Sequence, residues 1–271
     1  METHRTIPAL FEAPRALIGV IHLEALPGTP GARHSLPAIV DAAVAEAECY
    51  AEAGFQGIMI ENTRDRPYVK RTAGPEIIAA MAVVASEIRR SVSIPLGIQV
   101  LAGANIAALA VAHASGASFV RGEGFVFAHV ADEGFFSADA GPLLRYRRAI
   151  GAESVRVFAD IKKKHSAHAI TSDMDISETA KAAEFFLADG VIVTGIATGK
   201  ATDAAEVEAV SQAVAIPTLV GSGVTPENMA RYPGAEGLIV GSWVKQNGLW
   251  SNPLDPERVR IMADKFAALP S

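Results

Sequence analysis

Thr218-Leu219-Val220-Gly221-Ser222-Gly223-Val224-Thr225-Pro226-Glu227-Asn228 carries, in order, a short buried run, a Gly-Ser turn and a proline where a helical turn begins. Shortly afterwards Gly237-Leu238-Ile239-Val240-Gly241-Ser242 repeats the run and the turn. Working outward, the same unit of β-branched run, turn and Ala-rich helical stretch recurs along the chain. Its runs are Ala16–Leu23, Gly57–Glu61, Leu96–Leu101, Ser118–Arg121, Val155–Lys162, Gly190–Thr194, Thr218–Val220 and Gly237–Val240. Helical patterns lie between them near 36–53, 75–91, 104–115, 141–150, 176–188, 203–214, 226–231 and 255–268, with Gly54 and Gly116 as stops and Pro75, Pro142 and Pro226 as starts. Strands alternating with helices imply a parallel sheet buried on both faces. A chain of 271 residues with eight such units predicts one closed (β/α)8 barrel of the TIM type, an architecture of about 250 residues. An open doubly wound sheet would favour a glycine-rich turn after its first strand, where this chain has His22-Leu23-Glu24. No linker divides the chain, so residues 1–14 are expected as an N-terminal extension and about 15–269 as the barrel. The long segments 24–35, 122–140 and 163–175 all follow strands, which gathers them on the C-terminal face.

Composition bounds the function. Half the residues are hydrophobic and 20% are charged, enough to bury a large core, and the net charge of −6 argues against nucleic-acid or acidic-membrane partners. The densest basic stretch is only Lys162-Lys163-Lys164. A single cysteine, Cys49 on an Ala-rich helical stretch, excludes an internal disulfide, reads as a buried structural thiol and fits a reducing compartment. The first apolar run, Ala16–Ile21, is too short for a signal core, and no segment approaches the roughly 20 apolar residues of a membrane helix. A cytoplasmic protein without membrane insertion is expected.

The two Gly-Ser turns follow the seventh and eighth strands, where barrels frequently hold a phosphate. Gly221, Ser222 and Gly223 in the first, with Gly241 and Ser242 in the second, let the backbone approach an anion closely. The plainer reading is that these glycines supply only turn geometry. In the fifth run, Val155, Val157, Ala159 and Ile161 form one apolar face, and a two-residue period turns Asp160, Lys162 and Lys164 toward the barrel mouth. An Asp160–Lys162 ion pair is the structural explanation. The functional one makes Lys162 an electrostatic clamp or an amine of lowered pKa, oriented by Asp160. Other strands also end in polar residues: His22, Glu61 and Asn62, Gln99, Arg121 and Glu123, and Thr194. Glu61, His22 and Glu123 are candidates for proton transfer, the rest for substrate binding. No cofactor is expected. A divalent metal has weak support, because Asp175 of Asp173-Met174-Asp175 reads as a helix cap and His165 with His168 lacks a matching ligand pattern. Thr198-Gly199-Lys200 lacks the rest of a nucleotide-binding P-loop. Trp243 and Trp250 suit either a subunit contact in a homo-oligomer or packing on the chain's own C-terminal helix.

From about Ile18 to Gly248 the chain resembles the BtpA/SgcQ family, placed among ribulose-phosphate-binding-type barrels. The carriers are Ile18-Gly19-Val20-Ile21-His22-Leu23, Leu26-Pro27-Gly28-Thr29-Pro30, Glu61-Asn62, Ala159-Asp160-Ile161-Lys162-Lys163-Lys164-His165, Ala188-Asp189-Gly190-Val191-Ile192-Val193-Thr194-Gly195, and the Gly221 and Gly241 turns with their flanks. One branch of that family is named for photosystem I accumulation; others are labelled as sugar-metabolism proteins or nucleotide hydrolases. The resemblance therefore implies either an enzyme on a phosphorylated sugar, ribosyl or nucleotide-like compound, or an assembly factor on a vestigial site. Two stretches depart from the family pattern: Ala102-Gly103-Ala104-Asn105 stands where an Asn-Asp pair is expected, and Arg121-Gly122-Glu123 replaces an Arg-Val-Asn type.

Overall fold

The computed structural model describes residues 6–195 and 201–270. In chain order its strands are β1 (Ala16–His22), β2 (Gly57–Glu61), β3 (Leu96–Gln99), β4 (Phe119–Gly122), β5 (His129–Ala131) and β6 (Gly134–Phe136). They continue with β7 (Arg156–Ile161), β8 (Ser166–Ala167), β9 (Gly190–Val193), β10 (Thr218–Val220) and β11 (Gly237–Val240). The helices are α1 (Thr6–Phe11), α2 (Leu36–Glu52), α3 (Pro75–Ser91), α4 (Asn105–Ser115), α5 (Ala140–Ala149), α6 (Ile176–Phe185), α7 (Ala204–Ala213) and α8 (Pro256–Ala267). Eight parallel strands close into a barrel in the order β1-β2-β3-β4-β7-β9-β10-β11, with β11 returning to β1 through Ala16↔Gly237. The (β/α)8 expectation is met.

Local chemistry sets the boundaries. Proline opens α2, α3 and α8, where its missing N–H costs nothing. Asp175, Asp203 and Asp255 cap α6, α7 and α8 by accepting hydrogen bonds from the amides of Glu178, Ala205 and Glu257. Within the barrel, one parity of each strand faces the axis: Ala16, Ile18 and Val20 join Met59, Phe119, Phe158, Ile192, Leu219 and Ile239 in a single inner cluster. The other parity packs under the helices. Large inner rings need space opposite them. A Cβ on Gly97 would lie 2.1 Å from the Phe119 ring, and one on Gly190 would lie 2.7 Å from that of Phe158. Glycine there is a packing requirement.

Three expectations change. Residues 6–14 are more than an extension, because Ile7 and Phe11 of α1 enter the inner cluster and plug the N-terminal end of the barrel. The stretch near 226–231 forms only one 3-10 turn, Met229–Arg231. Tyr232 turns inward to donate to the Thr202 carbonyl, and Pro233-Gly234 follow at once, so the turn has no room to lengthen. The segments 122–140 and 163–175 are partly ordered as a small antiparallel sheet, β6-β5-β8, beside the barrel.

Candidate active site

The inward parity continues upward by one step at each strand end. Two residues beyond an inward-facing core position come His22, Glu61, Gln99, Arg121, Asp160, Thr194, Gly221 and Gly241. The structure thus gathers these residues in one layer at the C-terminal mouth. Over the layer opens a cavity of about 320 Å³, lined among others by His22, Glu61, Gln99, Arg121, Glu123, Lys163, Lys164 and Trp250.

Arg121 is the ionic centre of the layer. Its Nε donates to both Asp160 oxygens at 3.1 Å, and Nη1 lies 3.4 Å from Glu61 Oε1. Burial works against its charge, but Asp160 and Glu61 outweigh that, so its pKa moves up. Glu123 Oε1 receives Lys163 Nζ and Gln99 Nε2, each at 3.4 Å. Burial pushes the Glu123 carboxyl up, against the pull of Lys163. His22 Nε2 sits 3.9 Å from Glu61 Oε2. Burial, with Lys245 and Lys164 nearby, drives the imidazole pKa down to about 3 and keeps the ring neutral at physiological pH.

The structure does not bring Lys162 to the cavity. Strand β7 ends at Ile161, and Lys162 takes φ 44, so the two-residue alternation stops there. Its Nζ donates to the Thr171 carbonyl at 3.4 Å, in a small polar void shared with His129 and His168. The expected Asp160–Lys162 pair is replaced by Asp160–Arg121. Lys163 and Lys164 reach the cavity instead. The Lys164 amide donates to Thr194 Oγ1 at 3.1 Å, while its ammonium has no hydrogen bond or ion pair among the described residues. Burial lowers the Lys164 pKa, helped by Arg121 and opposed by Glu61, Asp160 and Glu123.

The Gly-Ser turns adjoin the cavity without lining it. A Cβ on Gly241 would stand 3.1 Å from the His22 ring, and one on Gly221 would stand 3.2 Å from the Arg121 guanidinium. The Gly221 amide is already committed to the Val193 carbonyl at 2.8 Å. Gly223, at φ 62, is held by Asn228, whose Nδ2 donates to its carbonyl at 2.8 Å. With only a 3-10 turn after this loop, no full helix N-terminus faces an anion there. Asn62 is also occupied: Oδ1 accepts from the Leu101 amide at 2.7 Å, and Nδ2 donates to Asp65 at 2.9 Å.

Several cavity residues lie outside the sequence-based set. Lys163, Arg66, Tyr68, Asp132, Glu133, His165 and Trp250 all line it. The signal for Asp132 and Glu133 is the hairpin turn Ala131-Asp132-Glu133-Gly134, with Gly134 at φ 98, between the runs that become β5 and β6. Trp250 packs edge-on to His22 at 5.9 Å under Arg66, and Trp243 lies beneath Arg258 of α8 at 4.2 Å. Both indoles thus serve this chain's own packing. Among the described residues, no group of three or more His, Cys, Asp or Glu side chains is placed to hold a metal ion. Thr198-Gly199-Lys200 lies outside the described residues.

The profile of the BtpA family matches residues 13–268. The chain belongs to the BtpA family. A Caenorhabditis elegans protein, named as uncharacterized and mitochondrial, is 46% identical over 259 residues, covering 93% of this chain and 94% of that protein. The Photosystem I biogenesis protein BtpA of Synechocystis is 33% identical over 259 residues, covering 95% of this chain and 90% of that one. Among solved structures, phosphoribosyl anthranilate isomerase of Thermus thermophilus superposes with a TM-score of 0.57 at 12% identity, covering 94% of this chain and all (100%) of that one. Thiamine phosphate pyrophosphorylase of Pyrococcus furiosus gives a TM-score of 0.56 at 12% identity, covering 94% and 96%. These two likenesses establish the barrel fold.

The stretches Ala102–Asn105 and Arg121–Glu123 meet in this BtpA barrel. Asn105, on the first, accepts from the Glu123 amide at 3.1 Å and donates to its carbonyl at 2.9 Å. Arg71 adds hydrogen bonds to the Gly103 and Glu123 carbonyls at 3.1 and 3.0 Å. The loops after β3 and β4 are therefore one unit that aims Glu123. No helix among the described residues is long and apolar enough to cross a membrane.

Proposed function

We propose that this BtpA-family barrel is an enzyme that acts on a phosphorylated sugar or ribosyl-like small molecule, by proton transfer or by cleavage of a C–C or C–N bond. One observation carries the reading: His22, Glu61, Arg121 and Asp160, from four different strands, bury their charges or dipoles in one layer beneath an open cavity. Burying ionisable groups is costly even when they are paired, and apolar side chains would stabilise a mere scaffold better. Lys164 takes the role first assigned to Lys162, an amine that stabilises negative charge developing on the substrate. Neutral His22 hydrogen-bonds the substrate as donor or acceptor, and Glu61 takes or returns the proton. Asp160 acts through Arg121. The amides of Ser222, Gly223 and Ser242 hold the phosphate at the rim, beside the His22 and Arg121 side chains. The single thiol, Cys49, fits work in the reducing cytoplasm.

The expected outcome is that Lys164→Met lowers turnover by at least about 100-fold, while binding of phosphorylated ligand stays measurable. Turnover at the wild-type rate would remove Lys164 from the chemistry. The name of the Synechocystis relative favours a second reading, an assembly factor on the same fold. A specific protein partner captured equally by wild type and Lys164→Met, without turnover of any phosphate ester, would support it.

A further inference from the structure

The substrate of the mouth cavity is legible in what the cavity leaves unsatisfied. Buried polar atoms in native proteins almost always find partners, so exceptions call for an explanation. Three of the buried side-chain atoms without a hydrogen-bond partner belong to cavity-lining residues: His22 Nδ1, Glu123 Oε2 and Glu133 Oε2. They come from separate elements: the end of β1, the turn after β4, and the β5–β6 hairpin turn. Both protein donors to Glu123 go to its other oxygen, Oε1. The charged residues of the lining balance, with Arg66, Arg121, Lys163 and Lys164 against Glu61, Glu123, Asp132 and Glu133. The chamber is therefore no simple anion basin. It combines carboxylates seeking a donor with the flat ring of Trp250.

Resting on the proposed reading only in taking the mouth as a ligand site, we propose that the chamber recognises a polyhydroxylated carbon chain or ring. Its separate hydroxyl groups meet Glu123 Oε2 and Glu133 Oε2, and its C–H face lies on Trp250. A hydroxyl suits these partners better than an ammonium does. It donates to a carboxylate, accepts from a carboxylic acid, and pairs with either tautomer of the His22 imidazole. A planar aromatic acid or an alkyl chain would displace solvent from both oxygens and give them no donor in return.

The test is a binding titration of the whole protein with matched probes: D-ribose 5-phosphate against pentyl phosphate, and ribitol against 1,5-pentanediol. Wild type is expected to prefer the hydroxylated member of each pair by at least about tenfold. Glu133→Ala, at the tip of a hairpin turn, is expected to shrink that preference at least about threefold without weakening pentyl phosphate. Circular dichroism checks that the variant is folded. Equal affinity for ribose 5-phosphate and pentyl phosphate would overturn the inference and leave phosphate binding intact. So would an equal loss for both in Glu133→Ala. Preference for ribitol with nothing gained from the phosphate would instead overturn the phosphate grip and leave this inference standing. Failure of every polyol to bind overturns it.

Discussion

His22 is the last residue of its strand and the first whose environment sets a measurable quantity. Its imidazole is driven down to about 3 from an ordinary 6.5, mainly by burial. A depressed histidine leaves stability in full above the unfolded value of 6.5 and removes it as pH falls toward 3, because the unfolded chain takes the proton first. Below pH 6.5 this residue therefore costs wild type up to about 1.4 kcal/mol per pH unit. His22→Asn lacks that dependence. Urea midpoints at pH 6.5 and 4.5 are expected to fall further for wild type than for His22→Asn; parallel declines would contradict the assignment. At this scale the sequence was a good guide up to the strand ends. His22, Glu61, Gln99, Arg121, Asp160 and Thr194 meet at the mouth because alternation alone dictates it. Lys162 was misread because one positive φ, at that residue, breaks the alternation, and nothing in Lys162-Lys163-Lys164 announces the break. The Arg121–Asp160 bond was hidden for a different reason: adjacency of β4 and β7 depends on a long excursion between them.

The strands and their excursions divide in how well they can be read. A strand of the barrel carries its own pattern of β-branched residues, so all eight were visible, with ends displaced by at most two residues. The small sheet β6-β5-β8 was not, because its strands are only two or three residues long and β8 joins β5 from beyond α5 and β7. It nonetheless delivers Asp132 and Glu133 to the cavity. Helix α1 was passed over because six residues make no periodic pattern, although its Ile7 and Phe11 complete the inner cluster. The barrel interior itself makes a sharp prediction. Gly97→Ala places a methyl carbon 2.1 Å from the Phe119 ring and is expected to destabilise by about 1–3 kcal/mol. Adding Phe119→Leu relieves the clash, so the double variant is expected to lie closer to wild type than additivity allows. Additive losses in a denaturant double-mutant cycle would show that the ring and the glycine are not in contact.

For the molecule as a whole, fold and function stand at different distances from the sequence. Eight repeated units oblige a closed barrel, and closure obliges a C-terminal mouth where eight strand ends converge. Which chemistry runs there depends on loops whose course a repeat does not specify, including the joined Asn105–Glu123 unit. The central claim is that the mouth binds a phosphorylated, hydroxyl-bearing small molecule in contact with Lys164. A thermal-shift screen of phosphorylated sugars and ribosyl compounds, run on wild type beside Lys164→Met, tests it most directly. At 100 times its dissociation constant, a true ligand adds about 2.7 kcal/mol, a rise of roughly 5 °C in Tm for a domain of this size. The account predicts at least one such compound with a smaller shift in Lys164→Met; no shift with any compound, or identical shifts in both proteins, would contradict it.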